Sequence, residues 1–435
     1  MKIAIFGTWY VGLVTGTCLA EVWHDVVCVD IDQQKIDDLK KWIIPIFEPG
    51  LEELVKKNYA NGRLKFSTDA KQSIEFWDAI FSAVGTPPDK NHRADLRFVK
   101  QVATTFSQHT KSYKIFINKS TVPVGTWAEC IKIISENLDS SLFDIVSNPE
   151  FLREWTAVKD FMVPDRIVCG LNSDKAKKVM EQIYAPFTRN YCPLIFSDIA
   201  SAEIAKYAAN AFLATKLSFI NEIANFSEKS WGNIWDIVKI IWSDKRIWNK
   251  FLHAGIGYGW SCFPKDVAAL IETGKDFDYD FEIIKATELI NKKQKTRVVE
   301  KLQKHIPDLN WKKITLWGLS YKPKTDDTRD APSIDVIKKL LDLWVSEIAC
   351  HDPEAMKHMK KMFSTEKKVK FYDNSYDATQ DSDALLILTE WDEFRWADIE
   401  KIKNNLAQNI VIDGRNIWNK TDMLESWFVY EAIWY

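Results

Sequence analysis

Short apolar runs alternate with helical stretches through the first two hundred residues. The strand-like runs cover residues 2–6, 25–29, 79–84, 114–118 and 143–147. Strands that alternate with helices are typical of a parallel sheet wound with helices. We therefore predict an α/β unit in this part of the chain.

The pattern changes over residues 198–230 and then returns. Apolar residues recur there at near-helical spacing, which predicts one long helix that connects two domains. They are Ile204, Ala208, Ala211, Phe219, Ile223 and Phe226. Strand-like runs follow at 314–316, 347–351, 384–388 and 409–412, so we predict a second α/β unit in the last third.

Composition limits the classes of function. The 435 residues suggest two or three domains. With 58 basic and 61 acidic side chains the net charge is −3, which gives no general field for nucleic acid. The seven scattered cysteines indicate neither a zinc site nor a disulfide framework and fit a reducing cytoplasm. Apolar runs are too short for a membrane span, so we expect a soluble cytoplasmic protein without a metal.

A glycine turn follows the first strand. Gly7 and Gly12 bracket Trp9, which occupies the slot where backbone must approach a pyrophosphate in G-x-G-x-x-G. Asp30 ends the next strand, where an acid can hold the ribose hydroxyls and favours NAD over NADP. The alternative is a tight turn without a ligand, but strand, turn, helix and acid together favour a dinucleotide site.

Cys262 is the candidate nucleophile. Pro264 suits the first turn of a helix, which would place Cys262 near a helix N-terminus with Lys265 close by. Both influences favour the thiolate. We interpret the other six cysteines as inert thiols.

Five polar residues have a role that the sequence alone leaves open. Lys206 and Asn210 share one face of the long helix, which is either a solvated stripe or part of a site. Glu150 and Glu154 follow a strand and either act as bases or cap the next helix. Thr121 also follows a strand.

These segments together resemble the UDP-glucose/GDP-mannose dehydrogenase family nearly end to end. The matching motifs lie at 7–12, 29–32, 48–51, 83–87, 119–126, 148–154, 206–212, 251–266, 322–329 and 413–415. The residues from Gly257 to Asp266 resemble the UDP-glucose branch more than the GDP-mannose or N-acetylmannosamine branches.

The resemblance implies a fold and partners. We expect two Rossmann-like, doubly wound α/β domains joined by a long central helix. The NAD-binding domain would cover 1–197, a helical dimerisation domain 198–300, and a UDP-sugar-binding domain 301–435. The expected partners are UDP-glucose and a second copy of the chain.

The resemblance also implies a reaction. It is the four-electron oxidation of UDP-glucose to UDP-glucuronate, a precursor for polysaccharide biosynthesis, with two NAD molecules used in turn. The Cys262 thiolate would carry a thiohemiacetal and then a thioester. Lys206 and Asn210 would stabilise the oxyanion. Asp266 with Thr121 would position water or act as base, and Glu150 would be a general base for hydrolysis.

Family positions around the two ligands map onto this chain residue by residue. Those around NAD are Gly7, Val11, Gly12, Asp30, Lys35, Thr86, Thr121, Glu154, Lys265 and Arg329. Those around the UDP-sugar are Glu150, Phe151, Leu152, Arg153, Lys206, Asn210, Phe251, Leu252, His253, Ala254, Gly255, Gly259 and Lys322.

The chain departs from the family in its tryptophans. It has nineteen tryptophans and fifteen glycines, about half the glycine of an average protein of this length. Family glycine positions correspond here to Trp9, Trp23, Trp42, Trp77, Trp155, Trp242, Trp248, Trp260, Trp344, Trp427 and Trp434, whereas Trp391 and Trp317 are interpreted as genuine. Trp23 and Trp344 each lie where a left-handed residue ends a helix. Our hypothesis is that the source organism reads UGA as glycine and that the gene was translated with UGA as tryptophan.

Two other functions are compatible with the sequence. One is a dehydrogenase of another nucleotide sugar, such as GDP-mannose or UDP-N-acetylmannosamine. The other is a non-catalytic nucleotide-sugar binding protein, which the Trp9 side chain in the glycine turn would permit. The joint presence of Cys262, Lys206, Asn210 and Asp266 favours an enzyme.

Overall fold

The structure is a computed structural model that describes residues 1–188, 192–247, 250–259 and 263–433. It divides into two compact units, Met1–Ala209 and Asn210–Tyr435. Each unit is built around its own sheet, and we describe them in turn.

Unit 1 contains a sheet that is parallel almost throughout. Its strands are β1 (Lys2–Phe6), β2 (Asp25–Val29), β3 (Leu64–Ser67), β4 (Ala79–Ser82), β5 (Lys114–Asn118), β6 (Phe143–Ser147), β7 (Ile167–Gly170) and β8 (Leu194–Ser197). Across the described residues the strand order is β3-β2-β1-β4-β5-β6-β7-β8. Only the pairing of β6 with β7 is antiparallel. The five strands predicted from sequence are confirmed, with β4 ending two residues early.

Helices cover both faces of this sheet. They are α1 (Tyr10–Glu21), α2 (Gln33–Lys40), α3 (Leu51–Ala60), α4 (Ala70–Phe76), α5 (Arg97–His109), α6 (Thr126–Ser135), α7 (Ala157–Met162) and α8 (Asp174–Thr188). Successive residues of a strand point to opposite faces. Accordingly Ile3 and Ile5 pack into one apolar cluster, whereas Ala4 and Phe6 pack into another. The sheet is therefore buried on both faces, as parallel sheets generally are.

One long helix, α9 (Ile199–Lys229), follows unit 1's last strand. It confirms the helix predicted over 198–230, and the boundary between the two units falls within it. Over the residues that the structure describes, none of the helices combines the length and the hydropathy that crossing a membrane requires.

Unit 2 repeats the doubly wound arrangement. Its strands are β9 (Lys313–Trp317), β10 (Glu347–His351), β11 (Val369–Phe371), β12 (Ala384–Ile387), β13 (Ile410–Asp413) and β14 (Val429–Ala432). In the described part of this unit the order is β11-β10-β9-β12-β13-β14, with every pair parallel. This is the 3-2-1-4-5-6 order of the doubly wound fold, which confirms the predicted fold class.

The helices of unit 2 surround that sheet. They are α10 (Ile234–Ser243), α11 (Phe263–Asp276), α12 (Glu282–Lys295), α13 (Arg297–His305), α14 (Pro332–Asp342), α15 (Met356–Met362), α16 (Ser375–Thr379), α17 (Asp392–Arg395), α18 (Ile399–Asn405) and α19 (Lys420–Glu425). Pro332 occupies the first turn of α14, where its missing N–H costs nothing.

Three tryptophans belong to the core of unit 2. Trp317 is fully buried and its ring stacks on Phe394 at 5.0 Å. Its indole N–H donates to the carbonyl of Ser375 at 2.9 Å. Trp391 and Trp418 are also buried, and their indole N–H groups donate to the Asp352 carboxylate and the Phe394 carbonyl. Buried indoles with satisfied N–H groups are what a tryptophan position requires.

Five other tryptophans end helices in the left-handed region. Trp23, Trp42, Trp231, Trp344 and Trp427 follow α1, α2, α9, α14 and α19 with φ between 58° and 72°. In each case the next residue's N–H donates to a carbonyl five residues earlier, for example His24 to Leu19 at 3.2 Å. This is the Schellman motif, whose left-handed position is usually glycine. A side chain there costs about 1–2 kcal/mol, and these indoles are 48% to 95% exposed, so little packing offsets the cost.

Other tryptophans differ in backbone conformation, and Trp242 lies within α10, where the helical backbone does not require glycine. Trp155 and Trp311 also have positive φ, at 75° and 62°. Trp9 and Trp77 have extended backbone, so their own φ does not require glycine. Trp248, Trp260 and Trp434 lie outside the described residues.

Candidate active site

The glycine turn of unit 1 is closed against backbone. Gly7 has φ of 102°, and a Cβ there would lie 2.5 Å from the Ala83 carbonyl oxygen. A Cβ on Gly12 would lie 1.9 Å from the Gly7 carbonyl oxygen. Both positions therefore require glycine, and they bring the N-terminus of α1 to the end of β1. Such a helix N-terminus attracts phosphate.

Asp30 lies beside this turn as a carboxylate. It accepts hydrogen bonds from the Thr8 hydroxyl at 2.6 Å and the Thr8 N–H at 3.0 Å, and Lys35 pairs with it at 3.1 Å. Burial works to raise its pKa, but Thr8, the Asp32 N–H and Lys35 together hold the pKa below its usual range. An ionised acid here can accept a ribose hydroxyl pair and disfavours the extra phosphate of NADP.

These residues fit NAD at every point except Trp9. Trp9 is the residue before α1 and is 51% exposed. Its ring lies 6.0 Å from the Lys35 ammonium. A dinucleotide needs bare backbone at this slot so that the pyrophosphate can approach. Trp9 therefore puts a side chain at the slot where the motif has glycine, directly before α1.

A buried glutamate holds the segment that carries Glu154. Glu48 accepts hydrogen bonds from the Tyr10 hydroxyl, from the Trp155 N–H at 2.8 Å and from the Val158 N–H at 3.3 Å. Glu48 thus ties the start of α1 to the start of α7. In the same unit, the Thr86 hydroxyl donates to the Thr121 carbonyl at 2.9 Å.

A second polar cluster of unit 1 lies at the ends of β5 and β6. Lys206 pairs with Glu150 at 3.1 Å, and both side chains are less than a tenth exposed. Glu150 also accepts from the Leu152 N–H. Although burial works to raise the Glu150 pKa, the Lys206 ammonium, the Leu152 N–H and Lys119 hold it below its usual range. Glu150 is therefore a carboxylate that can accept a proton.

A cavity of about 200 Å³ opens beside this cluster. The residues that line it include Lys119, Asn148, Glu150, Phe151, Leu152 and Arg153. Arg153 forms an ion pair with Asp160 at 2.5 Å. The predicted sugar-binding segment 150–153 therefore faces one cavity.

Unit 2 brings two predicted residues into direct contact. The Asn210 amide donates to the Asp266 carboxylate at 2.6 Å, and Lys265 pairs with the other oxygen at 2.6 Å. Asp266 is 1% exposed. It lies in the first turn of α11 with Pro264, as the sequence predicts. Cys262, the predicted nucleophile, lies outside the described residues.

A second cavity of about 400 Å³ lies within unit 2. Among the predicted UDP-sugar residues, it is lined by Phe251, His253, Gly255, Gly259 and Lys322. Leu252 and Ala254 instead pack into the hydrophobic core. Arg329 forms an ion pair with Asp327 at 2.6 Å.

Comparison with known proteins decides the family. Residues 1–188 match the NAD binding domain of the UDP-glucose/GDP-mannose dehydrogenase family, 200–293 its central domain, and 315–420 its UDP binding domain. The chain belongs to the UDP-glucose/GDP-mannose dehydrogenase family.

Relatives of this dehydrogenase family match over nearly their whole length. The chain is 43% identical to UDP-glucose 6-dehydrogenase TuaD of Bacillus subtilis, over 99% of this chain and 93% of that protein. It is 43% identical to UDP-glucose 6-dehydrogenase of Rhizobium meliloti, over 100% and 99%. A solved UDP-glucose dehydrogenase from Pyrobaculum islandicum has a TM-score of 0.92 and 30% identity, with coverage of 100% and 98%.

Four residues of this dehydrogenase chain were missed in the sequence predictions. Glu48 lies in a recognised motif, but its partners Tyr10 and Trp155 are distant in sequence. Lys119 lies immediately after β5. Because polar residues gather at the ends of these strands, its position could have identified it as a site residue. Asn221 accepts from the Gly255 N–H at 2.8 Å. Arg415 donates to the carbonyls of Leu388 and Tyr321, and both Asn221 and Arg415 line the second cavity.

We expect Trp9→Gly to lower the Kd for NAD at least tenfold, because it removes the side chain from the pyrophosphate slot. Fluorescence titration of the purified chain with NAD measures this. Trp23→Gly is the matched control, because Trp23 lies at the opposite end of α1 and should leave the Kd unchanged. Equal NAD affinity for the Trp9→Gly variant and the unaltered chain would contradict the assignment of the site.

Proposed function

We propose that this chain is an NAD-dependent oxidoreductase that converts UDP-glucose to UDP-glucuronate. The observation that carries the proposal is the pair of buried acid contacts, Lys206 with Glu150 and Asn210 with Asp266. A protein that only bound the nucleotide sugar would not need an ionised base and an amide fixed on a second acid. The full-length relatives named UDP-glucose 6-dehydrogenase support the substrate.

The reaction removes four electrons from C6 of the sugar. NAD, when bound, accepts the hydride of each oxidation, so two molecules are reduced for each sugar. In the first step the C6 alcohol loses a hydride and a proton and becomes an aldehyde. The Cys262 thiolate then adds to the aldehyde carbon, and the resulting thiohemiacetal loses the second hydride to give a thioester. Water breaks the C–S bond, which releases the carboxylate and restores the thiol.

Each proposed residue has a defined task in these steps. The Lys206 ammonium and the Asn210 amide stabilise the negative oxygen of the thiohemiacetal. Glu150 takes the proton of the water that attacks the thioester. Asp266 and Thr121 orient that water. The low Glu150 pKa keeps this base ionised at neutral pH.

In this proposal each ligand is bound by the residues that the resemblance to the family assigns to it. NAD is bound by Gly7, Val11, Gly12, Asp30, Lys35, Thr86, Thr121, Glu154, Lys265 and Arg329. Lys322 and the segment around Phe251 bind the UDP-sugar. The chain is organised as an NAD-binding domain over 1–197, a helical domain over 198–300 and a UDP-sugar-binding domain over 301–435.

We expect two NADH for each UDP-glucose consumed, because the oxidation passes through the aldehyde to the carboxylate. Absorbance of NADH in a reaction with limiting sugar measures the ratio. GDP-mannose and UDP-N-acetylmannosamine are the matched comparison substrates. If GDP-mannose or UDP-N-acetylmannosamine is turned over faster than UDP-glucose, that sugar is the substrate. If none of the three sugars is oxidised with NAD, the chain is a nucleotide-sugar binding protein.

We further propose that the enzyme is a cytoplasmic homodimer whose product supplies polysaccharide biosynthesis. Phe212, Phe219 and Phe226 recur every seven residues along α9 and are 65%, 49% and 66% exposed. A regular apolar stripe of this kind is typical of a surface that another protein covers.

We expect sedimentation equilibrium to give twice the 50.4 kDa chain mass. Phe219→Glu should shift the mass toward one chain, because it places a charge in the apolar stripe. Phe98→Glu, at an exposed phenylalanine of α5, is the control and should not change the mass. A single-chain mass for the unaltered protein would contradict the dimer.

A further inference from the structure

A buried lysine stands beside the Lys206–Glu150 pair without an assigned role. Lys119 follows β5 directly and is 4% exposed. Its ammonium donates to the side-chain oxygen of Asn148 at 3.1 Å and to the Asn148 carbonyl at 3.3 Å. A buried ammonium is costly unless its charge is used, so its surroundings indicate what it does.

Asn148 does not depend on Lys119 for its position. The Asn148 N–H donates to the Asn118 carbonyl at 2.8 Å, and its side-chain amide donates to the Val168 carbonyl at 2.7 Å. The Tyr184 hydroxyl donates to the Asn148 side-chain oxygen. Because these contacts remain without Lys119, the main contribution of Lys119 is its positive charge.

That charge acts on Glu150. Both side chains line the 200 Å³ cavity, and Glu150 follows Asn148 by two residues. The attraction is mutual: Lys119 helps to lower the Glu150 pKa, and Glu150 favours the charged form of Lys119. Burial nevertheless lowers the Lys119 pKa to about 8, which leaves the ammonium dominant at neutral pH.

We propose that Lys119 is a positioning residue that, together with Lys206, keeps Glu150 ionised and aimed into the cavity as the base of the hydrolytic step. The proposal rests on the function proposed above for Glu150. Lys206 touches the Glu150 carboxylate directly, whereas Lys119 contacts Asn148, two residues before Glu150.

The test compares Lys119→Met with a matched variant. Lys114→Met is the control, because Lys114 is another buried lysine of β5 that donates to the backbone carbonyls of Glu75 and Trp77. We expect the acidic limb of the kcat profile of Lys119→Met to move up by about one pH unit, which is about tenfold in relative rate at low pH. Lys114→Met should keep the unaltered profile, even where its stability falls.

Lys119→Arg, which keeps the charge, should restore the acidic limb of the kcat profile. A Lys119→Met enzyme with an unchanged acidic limb would overturn the proposal, because Lys119 would then contribute packing alone.

A second measurement separates this proposal from the function itself. Carbon-13 NMR titration of the Glu150 carboxyl, assigned with Glu150→Gln, should show a higher Glu150 pKa in Lys119→Met than in the unaltered chain. This result does not require turnover. If the chain fails to oxidise any nucleotide sugar, the titration still decides whether Lys119 acts on Glu150, and equal titration curves would exclude it.

The tryptophans carry an independent inference. Those with positive φ are Trp23, Trp42, Trp155, Trp231, Trp311, Trp344 and Trp427. Those that are buried with their indole N–H satisfied in unit 2 are Trp317, Trp391 and Trp418. We infer that the protein made by the source organism has glycine at the first seven positions and tryptophan at the other three. Trp231 and Trp311 extend the sequence-based set, and Trp418 joins the genuine tryptophans.

Peptide mass spectrometry of the protein from its source organism tests this partition. We expect glycine at the seven left-handed positions and tryptophan at the three buried ones. Tryptophan at position 23 or 344 would overturn the inference. Glycine at position 317 would also overturn the inference, because glycine would then stand where the tryptophan is buried and hydrogen-bonded, and not only at positions with positive φ.

The recombinant chain provides a second readout. Trp23→Gly and Trp344→Gly should each raise the Tm by about 2–4 °C, because the strain of a left-handed side chain is removed. Trp317→Gly is the control and should lower the Tm through the cavity that it leaves. A lower Tm for both Trp23→Gly and Trp344→Gly would contradict the partition.

Discussion

The return of the chain from each helix to the next strand constrains both units. A Schellman ending reverses the chain within two residues, but it places one residue in the left-handed region, which a side chain occupies at a cost. Trp23 leads into β2 and Trp344 into β10, and these strands neighbour the first strand of each sheet. Asp30, the acid proposed to hold the ribose hydroxyls, lies at the other end of β2. The backbone at these positions therefore has the left-handed conformation typical of glycine, although the sequence has tryptophan there.

The chemistry proposed for unit 1 depends on charges buried at the strand ends. The carboxyl ends of parallel strands meet at one edge of a sheet, and ligands bind there. Lys119 and Asn148 follow neighbouring strands, and the next turn delivers Glu150 to Lys206. A lone carboxylate at this depth would bind a proton, whereas two nearby ammonium groups keep it ionised. The same edge holds Thr121 and, further along the sheet, Asp30. The residues proposed for binding and for proton transfer therefore lie along one edge of the sheet.

Local patterns in the sequence predicted most of the fold. Apolar strands such as β1, β2 and β5 were predicted with their observed bounds, because burial on both faces leaves a continuous apolar run. β3, β7, β8, β11 and β14 were not predicted, because each is only three or four residues long, and all of them except β7 keep partly or fully exposed positions. The left-handed slots at Trp23 and Trp344 were predictable since a helix end is local. Contacts of Glu48 with Tyr10 and Trp155 were not, because only the folded chain brings these residues together.

This chain has the backbone and the buried charges of a nucleotide-sugar dehydrogenase, and it has tryptophan at positions where that backbone suits glycine. The most direct test compares kcat/KM for UDP-glucose, measured with NAD, between two full-length chains. The tryptophan chain has the sequence described above, and the glycine chain has glycine at position 9 and at the seven left-handed positions. We predict that kcat/KM of the glycine chain is at least tenfold higher than that of the tryptophan chain. Equal kcat/KM for the two chains, or a higher kcat/KM for the tryptophan chain, would contradict this prediction.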